Sequence, residues 1–137
     1  MYDIEASVGF LLAKVYQRGY ALFKSELDPY GITPQQFSLL AFLWLEDGLS
    51  QSELSGKTQI DRSTMGGLID RLEKIGLVIR QPHPEDRRAY RIILTERGKE
   101  LQPELCHLAS KIRDQFTSPL SPDECANLRG LLEKLRG

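Results

Sequence analysis

Asp61-Arg62-Ser63-Thr64-Met65-Gly66-Gly67-Leu68-Ile69-Asp70-Arg71-Leu72-Glu73-Lys74-Ile75-Gly76 is the stretch on which the fold turns. Met65, Leu68, Ile69, Leu72 and Ile75 recur at three- and four-residue steps, the spacing of one helical face. Asp61 is suited to cap the helix N-terminus, and Gly76 is the residue that a left-handed C-terminal cap requires. The period then changes. Leu77-Val78-Ile79-Arg80 and Tyr90-Arg91-Ile92-Ile93-Leu94 are short β-branched and aromatic runs around a polar, proline-containing segment, Gln81 to Ala89, and predict a two-stranded hairpin.

Further helices flank this unit. Ser50-Gln51-Ser52-Glu53 is a capping box that opens a short helix ending near Lys57-Thr58. Thr33-Pro34-Gln35-Gln36 opens another, apolar nearly all round through Phe37, Leu40, Ala41, Leu43 and Trp44 until Asp47-Gly48 stops it. Ile4, Val8, Leu11, Leu12, Val15, Tyr16, Phe23 and Leu27 lie on one face of a first helix, broken by Asp28-Pro29-Tyr30-Gly31. Downstream, Thr95 caps a long helix carrying Leu101, Leu105, Leu108, Ile112 and Phe116, which Pro103 should bend or delay. Ser121-Pro122-Asp123-Glu124 opens a last helix with Cys125, Leu128, Leu131, Leu132 and Leu135 on its face.

A chain of 137 residues, 41% hydrophobic and 27% charged, reads as one globular domain rather than a disordered one. No apolar run approaches the ~18 residues of a membrane span, and the acidic N-terminus does not resemble a signal peptide, so a cytoplasmic location is expected. Cys106 and Cys125 are too few for a disulfide scaffold, and with two histidines far apart they leave no metal set. No phosphate-cradling glycine loop or nucleophile elbow is present, so neither a catalytic residue nor a cofactor is expected. Net charge is −1, but its distribution is uneven: residues 1–49 hold three Lys/Arg against six Asp/Glu, whereas residues 50–91 hold eight against six. Local potential counts more than the sum, because screening removes charges beyond about 8 Å.

Two short helices joined by a tight turn and followed by a hairpin form the winged helix-turn-helix pattern. The fold expected is therefore mainly α with a small β wing: a lobe at 33–95 flanked by dimerisation helices at 1–30 and 96–137. Its second helix keeps one stripe on the core and presents the other face to the major groove of double-stranded DNA. Arg62, Ser63, Thr64, Gly67, Asp70, Arg71 and Lys74 fall off the apolar stripe, and Arg87, Arg88 and Arg91 are placed at the hairpin tip, within reach of the backbone or a minor groove. For Asp70 an ion pair is the better reading, since a carboxylate repels phosphate. A winged-helix module for protein–protein contact is the competing function; steep salt dependence of DNA binding separates the two.

Asp86-Arg87-Arg88-Ala89-Tyr90-Arg91, the following Leu94-Thr95-Glu96-Arg97-Gly98, and Leu68 to Val78 together resemble the MarR family of bacterial transcriptional regulators, over the whole chain and in a six-helix order. The resemblance implies a homodimer that binds a palindromic operator and is often released by a small molecule or oxidant. It makes Arg88 the minor-groove residue of the wing and Asp86 the ion-pair partner of the wing arginines. It puts Ser63, Thr64 and Gly67, with Arg62 and Arg71, against bases and phosphates. His83, where the family often has Asp, and Gly66, where it often has a polar side chain, depart from the pattern.

The stripe Leu101, Leu105, Leu108, Ile112 and the leucines of the last helix suit a seam between subunits. Tyr16, Tyr20, Phe23, Tyr30, Phe37 and Trp44 fall where dimer helices and lobe should meet; Tyr16, Tyr20, Phe37 and Trp44 are candidates for a site holding a small aromatic effector, or else they are core. The first helix has no cysteine of the kind expected in peroxide-sensing members. Cys106 and His107 point about 100° apart and make a poor dyad, and both cysteines read as inert small hydrophobes.

Overall fold

The computed structural model describes residues 1–86 and 89–137. After a 3-10 turn at Ile4–Ala6 come α1 (Val8–Leu27), a second 3-10 turn at Asp28–Tyr30, α2 (Pro34–Leu45), α3 (Gln51–Thr58), α4 (Arg62–Lys74), β1 (Val78–Pro82), β2 (Tyr90–Leu94), α5 (Glu96–Glu100), α6 (Gln102–Phe116) and α7 (Pro122–Arg136). β1 and β2 pair antiparallel, Val78 opposite Leu94 and Pro82 opposite Tyr90. Residues Gly48 to Ser50 add a short third edge. Gly48 N–H donates to the Ile92 carbonyl, Ile92 N–H to that of Leu49, and Ser50 bridges Arg91.

The caps are where the sequence places them. Thr33, Ser50 and Ser121 each close a reciprocal capping box with Gln36, Glu53 and Glu124. α4 ends as glycine at its C-terminus dictates: Gly76 adopts φ +80°, its N–H donates to the Glu73 carbonyl, and Leu77 N–H donates to that of Leu72. Pro103 does not bend one long helix. The chain makes the separate turn α5, and Pro103 sits in the first turn of α6, where its missing N–H costs nothing.

The core runs through the end of α1, α2, α3, α4, the hairpin and the start of α6, with Leu27, Leu39, Leu54, Met65, Ile69, Leu72, Ile92 and Leu105 fully buried. This corrects one expectation. Leu101, Leu105 and Ile112 are buried inside this chain and Leu108 is half-buried against the same core, so they form no seam between subunits. α5 is seated on the hairpin, and α6 packs chiefly on α1 of the same chain. Gly98 explains the former: a Cβ there would lie 2.2 Å from the Leu77 carbonyl oxygen, so only glycine lets α5 seat on the hairpin. Thr95 completes the joint. Its hydroxyl accepts from Gly98 N–H and donates to the Gly76 carbonyl, while Trp44 Nε1 donates to the Gly98 carbonyl (2.9 Å).

By contrast, α7 contributes no buried residue, and Ile4, Val8, Leu11, Leu12 and Val15 are exposed. No helix among the described residues is long and apolar enough to cross a membrane.

Candidate nucleic-acid interface

α3 and α4 pack as a helix-turn-helix. Gln59, in a left-handed conformation (φ 61°), reverses the chain between them, and Asp61 caps α4 by accepting from Thr64 N–H (2.8 Å) and the Thr64 hydroxyl (3.0 Å). Those bonds, the backbone one first, hold the Asp61 carboxyl below its ordinary value, so it is a fixed anion at neutral pH. Behind the pair, the buried Gln36 donates from Nε2 to the Leu68 carbonyl (3.2 Å), tying α2 to the middle of α4.

At about 100° per residue, Ser63, Gly67, Asp70 and Lys74 fall opposite Met65, Ile69 and Leu72. All four are exposed. A Cβ at Gly67 would meet nothing within 4 Å, so this outward surface is open at its centre. Arg62 and Thr64 are exposed on opposite flanks of the first turn; Arg62 points toward α3 and contacts Ser52 (3.5 Å). Arg71 is exposed on the far flank, its guanidinium near the Gly31 turn.

Between α3, the start of α4 and the hairpin lies a cleft of about 370 Å³ lined by Gln51, Ser52, Arg62, Asp86, Ala89 and Tyr90. It joins Arg62 and Asp86, expected from sequence, to Gln51, Ser52 and Tyr90, which were not. The signal for the latter was available only in three dimensions, since the cleft is formed by three segments separate in the chain, at 51–52, 62 and 86–90. In the wing, the Asp86 carbonyl accepts from Ala89 N–H and His83 N–H donates to the Ala89 carbonyl. Arg87 and Arg88 lie outside the described residues. Arg91 is not at the tip. It is half-buried within β2 opposite Gln81, to whose side-chain oxygen it donates (3.3 Å), because the hairpin's extended strands reach past it.

Arg80 was missed altogether. From β1 it donates to Asp70, to Glu73 (3.3 Å) and to the Gly66 carbonyl (3.1 Å), giving Asp70 the ion pair that its position demanded. Its signal was the alternation of β1: Val78 is buried and Ile79 exposed, so Arg80 turns back toward α4.

A second concavity lies at the other end of the chain. An open groove of about 650 Å³, largely apolar, is bordered by α1, α2, α6 and α7, with Tyr16, Tyr20, Phe23, Phe116 and Leu132 among its walls and Gln35, Ser38 and Arg113 as polar members. Gly19 makes room for the Phe116 ring, which a Cβ would approach to 3.1 Å. Of the four candidates, Tyr16 and Tyr20 line this cavity. Phe37 and Trp44 do not: Phe37 packs between Phe23 and Trp44, and Trp44 spends its N–H on Gly98. Nearby, Tyr30 donates to Glu104, which raises the phenol's pKa. No group of three metal-ligating side chains occurs among the described residues.

A helix-turn-helix with an open outer face, a wing beside it and a polar cleft between defines a winged-helix DNA-binding protein. Residues 32–90 match the sequence model of the MarR family. Over 98% of its length the chain is 34% identical to the HTH-type transcriptional repressor NicR of Pseudomonas putida, 85% of which is covered. Its structure is similar to that of Bordetella bronchiseptica BpsR, described for regulation of its DNA binding by 6-hydroxynicotinic acid (TM-score 0.92, 31% identity, 99% of this chain and 97% of that one). It is also similar to a cysteine variant of MarR from E. coli in complex with operator DNA (TM-score 0.87, 29% identity, 93% and 92%). The chain belongs to the MarR family, and is a DNA-binding transcriptional regulator.

Proposed function

We propose that the protein is a homodimeric repressor that reads a palindromic operator with α4 and the wing, and that a small aromatic acid releases it. The observation that carries the DNA reading is the exposed row Ser63, Gly67 and Lys74, flanked by Arg62, next to the cleft under the wing. In this reading Ser63, Thr64 and Gly67 approach base edges, and Arg62 and Arg71 hold phosphates. Asp86 orders the wing, Arg87 and Arg88 reach the minor groove beyond it, and Arg91 supports the strand behind. Selection of bound duplexes from a random library should recover an inverted repeat with half-sites about 10 bp apart, as a twofold protein requires. Recovery of no common sequence, or of an unrepeated one, overturns it. Arg88→Ala should weaken binding to the selected duplex while circular dichroism stays unchanged.

Dimerisation is supported by the exposed apolar residues of α1 and α7, where Leu131 is 57% and Leu135 64% exposed. Patches of this kind on a folded chain mark interaction surfaces. Light scattering of a stable monomer at micromolar concentration counts against it.

Release by an aromatic acid is supported by the cavity of about 650 Å³: an apolar slot lined by Tyr16 and Tyr20, with Arg113, which also pairs with the exposed Asp114 (3.3 Å), at its wall, suits a planar hydroxylated carboxylate. That BpsR is described with 6-hydroxynicotinic acid points to the same chemistry. Titrating 6-hydroxynicotinate and salicylate against the protein–duplex complex should dissociate it; affinity unchanged by both removes this part of the reading. Phe37 and Trp44 then act behind the cavity wall, holding Phe23 in place.

A further inference from the structure

The side chain of Arg80 is only 19% exposed, yet it is not absorbed by the apolar core. It lies along the side of α4. Nη1 meets Asp70 and Glu73 Oε1 (3.3 Å), Nη2 donates to the Gly66 carbonyl (3.1 Å), and the backbone N–H of Arg80 donates to Glu73 Oε2 (3.2 Å). These contacts run from Gly66 to Glu73, about two turns of the recognition helix, and all originate from the first strand of the wing. Asp70 stands on the outward face between Gly67 and Lys74, with its side chain 69% exposed. Left alone, such a carboxylate opposes the approach of phosphate.

We propose that Arg80 is a positioning residue of the DNA interface, which fixes the wing against α4 and shields DNA from the Asp70 carboxylate. The planar fork matters as much as the charge, because one guanidinium reaches two carboxylates and a helix carbonyl at once, which an ammonium on a flexible stem does not. The inference rests on α4 and the wing being the DNA-contacting elements. It makes Arg80 a residue that acts through its neighbours and touches no phosphate.

The test is binding to the selected duplex, measured by fluorescence anisotropy across a salt series with thermal melts in parallel. Arg80→Gln should lose about tenfold in affinity, and adding Asp70→Asn to it should recover most of that loss. The slope of log affinity against log salt should stay at the wild-type value, since no phosphate contact is removed. Asp70→Asn alone should bind as well as wild type or tighter. Arg80→Lys, which keeps the charge and carries the test if Arg80→Gln does not fold, should fall between. A slope reduced by about 0.9 without rescue makes Arg80 a phosphate ligand and overturns the proposal. Affinity unchanged in Arg80→Lys and Arg80→Gln overturns it too, as does a loss indifferent to Asp70→Asn. If wild type itself binds duplexes without steep salt dependence, the interface reading falls and the clamp with it. Steep wild-type dependence with indistinguishable variants removes the clamp alone.

Discussion

The lobe from Ile32 to Ile112 and the terminal helices are built from the same leucine-rich, well-capped segments, yet they differ in what covers them. In the lobe every apolar stripe meets another: Leu72 of α4, Leu54 of α3 and Leu105 of α6 are all 0% exposed. In α7 an equally regular stripe, Leu128, Leu131, Leu132 and Leu135, remains exposed, as does the N-terminal half of α1. Helical periodicity shows that a face is apolar. It does not show whether the covering surface belongs to the same chain. The lobe's stripes, with the end of α1, are covered within the chain, whereas the start of α1 and α7 carry apolar area that a second copy, in our reading, removes from water.

Substitutions can break or sharpen this contrast. The two largest effects, of similar size, are expected at the joint that binds α5 to the hairpin and at a fully buried leucine. Gly98→Ala drives a methyl into the Leu77 backbone carbonyl, which cannot move as a side chain would, and should cost about 3 kcal/mol in chemical denaturation. The leucine is one of a matched pair. Leu72→Ala should cost about 3 kcal/mol through lost burial and the cavity left behind. Leu131→Ala, the same chemical change on an exposed site, should leave the lobe's unfolding within about 0.5 kcal/mol and appear instead as weaker dimerisation in sedimentation equilibrium. Equal costs for the two leucines would erase the distinction between the regions.

Trp44→Phe removes the hydrogen bond to Gly98 together with part of the indole's packing against Phe37; a loss of about 2 kcal/mol is expected. The smallest effect belongs to Asp61. Its folded pKa lies below the unfolded value, so its contribution is fully present above that value, near pH 4, and disappears as pH falls through the folded pKa. Asp61→Asn retains a capping oxygen and abolishes the titration. The difference in melting temperature between wild type and Asp61→Asn should therefore be flat from pH 5 to 8 and change only below about pH 4.

Much of the fold was legible in the chain because its signals are local. Capping boxes at Thr33, Ser50 and Ser121, the Asp61 cap and the Gly76 stop each depend on residues within one turn, and each forms as written. The hairpin followed from composition, with a shift of one or two residues at its first strand. What failed was non-local. The stripe of Leu101, Leu105 and Ile112 has the same periodicity whether it is covered within its own chain or by another subunit. Arg91 looks like a tip residue until the register places it opposite Gln81. Phe37 and Trp44 share their spacing with cavity-lining aromatics and are distinguished only by what stands in front of them.

The sequence alone determined where helices start and stop, that a hairpin follows α4, and that this combination belongs to DNA-binding proteins, because caps, periodicity and wing signature are encoded over a few consecutive residues. Only the tertiary structure decided which apolar faces are spent within the chain, that a cavity opens beneath α1, and that an arginine in β1 reaches back to Asp70. Those outcomes depend on pairs of residues far apart in the chain, whose meeting is set by how the elements pack.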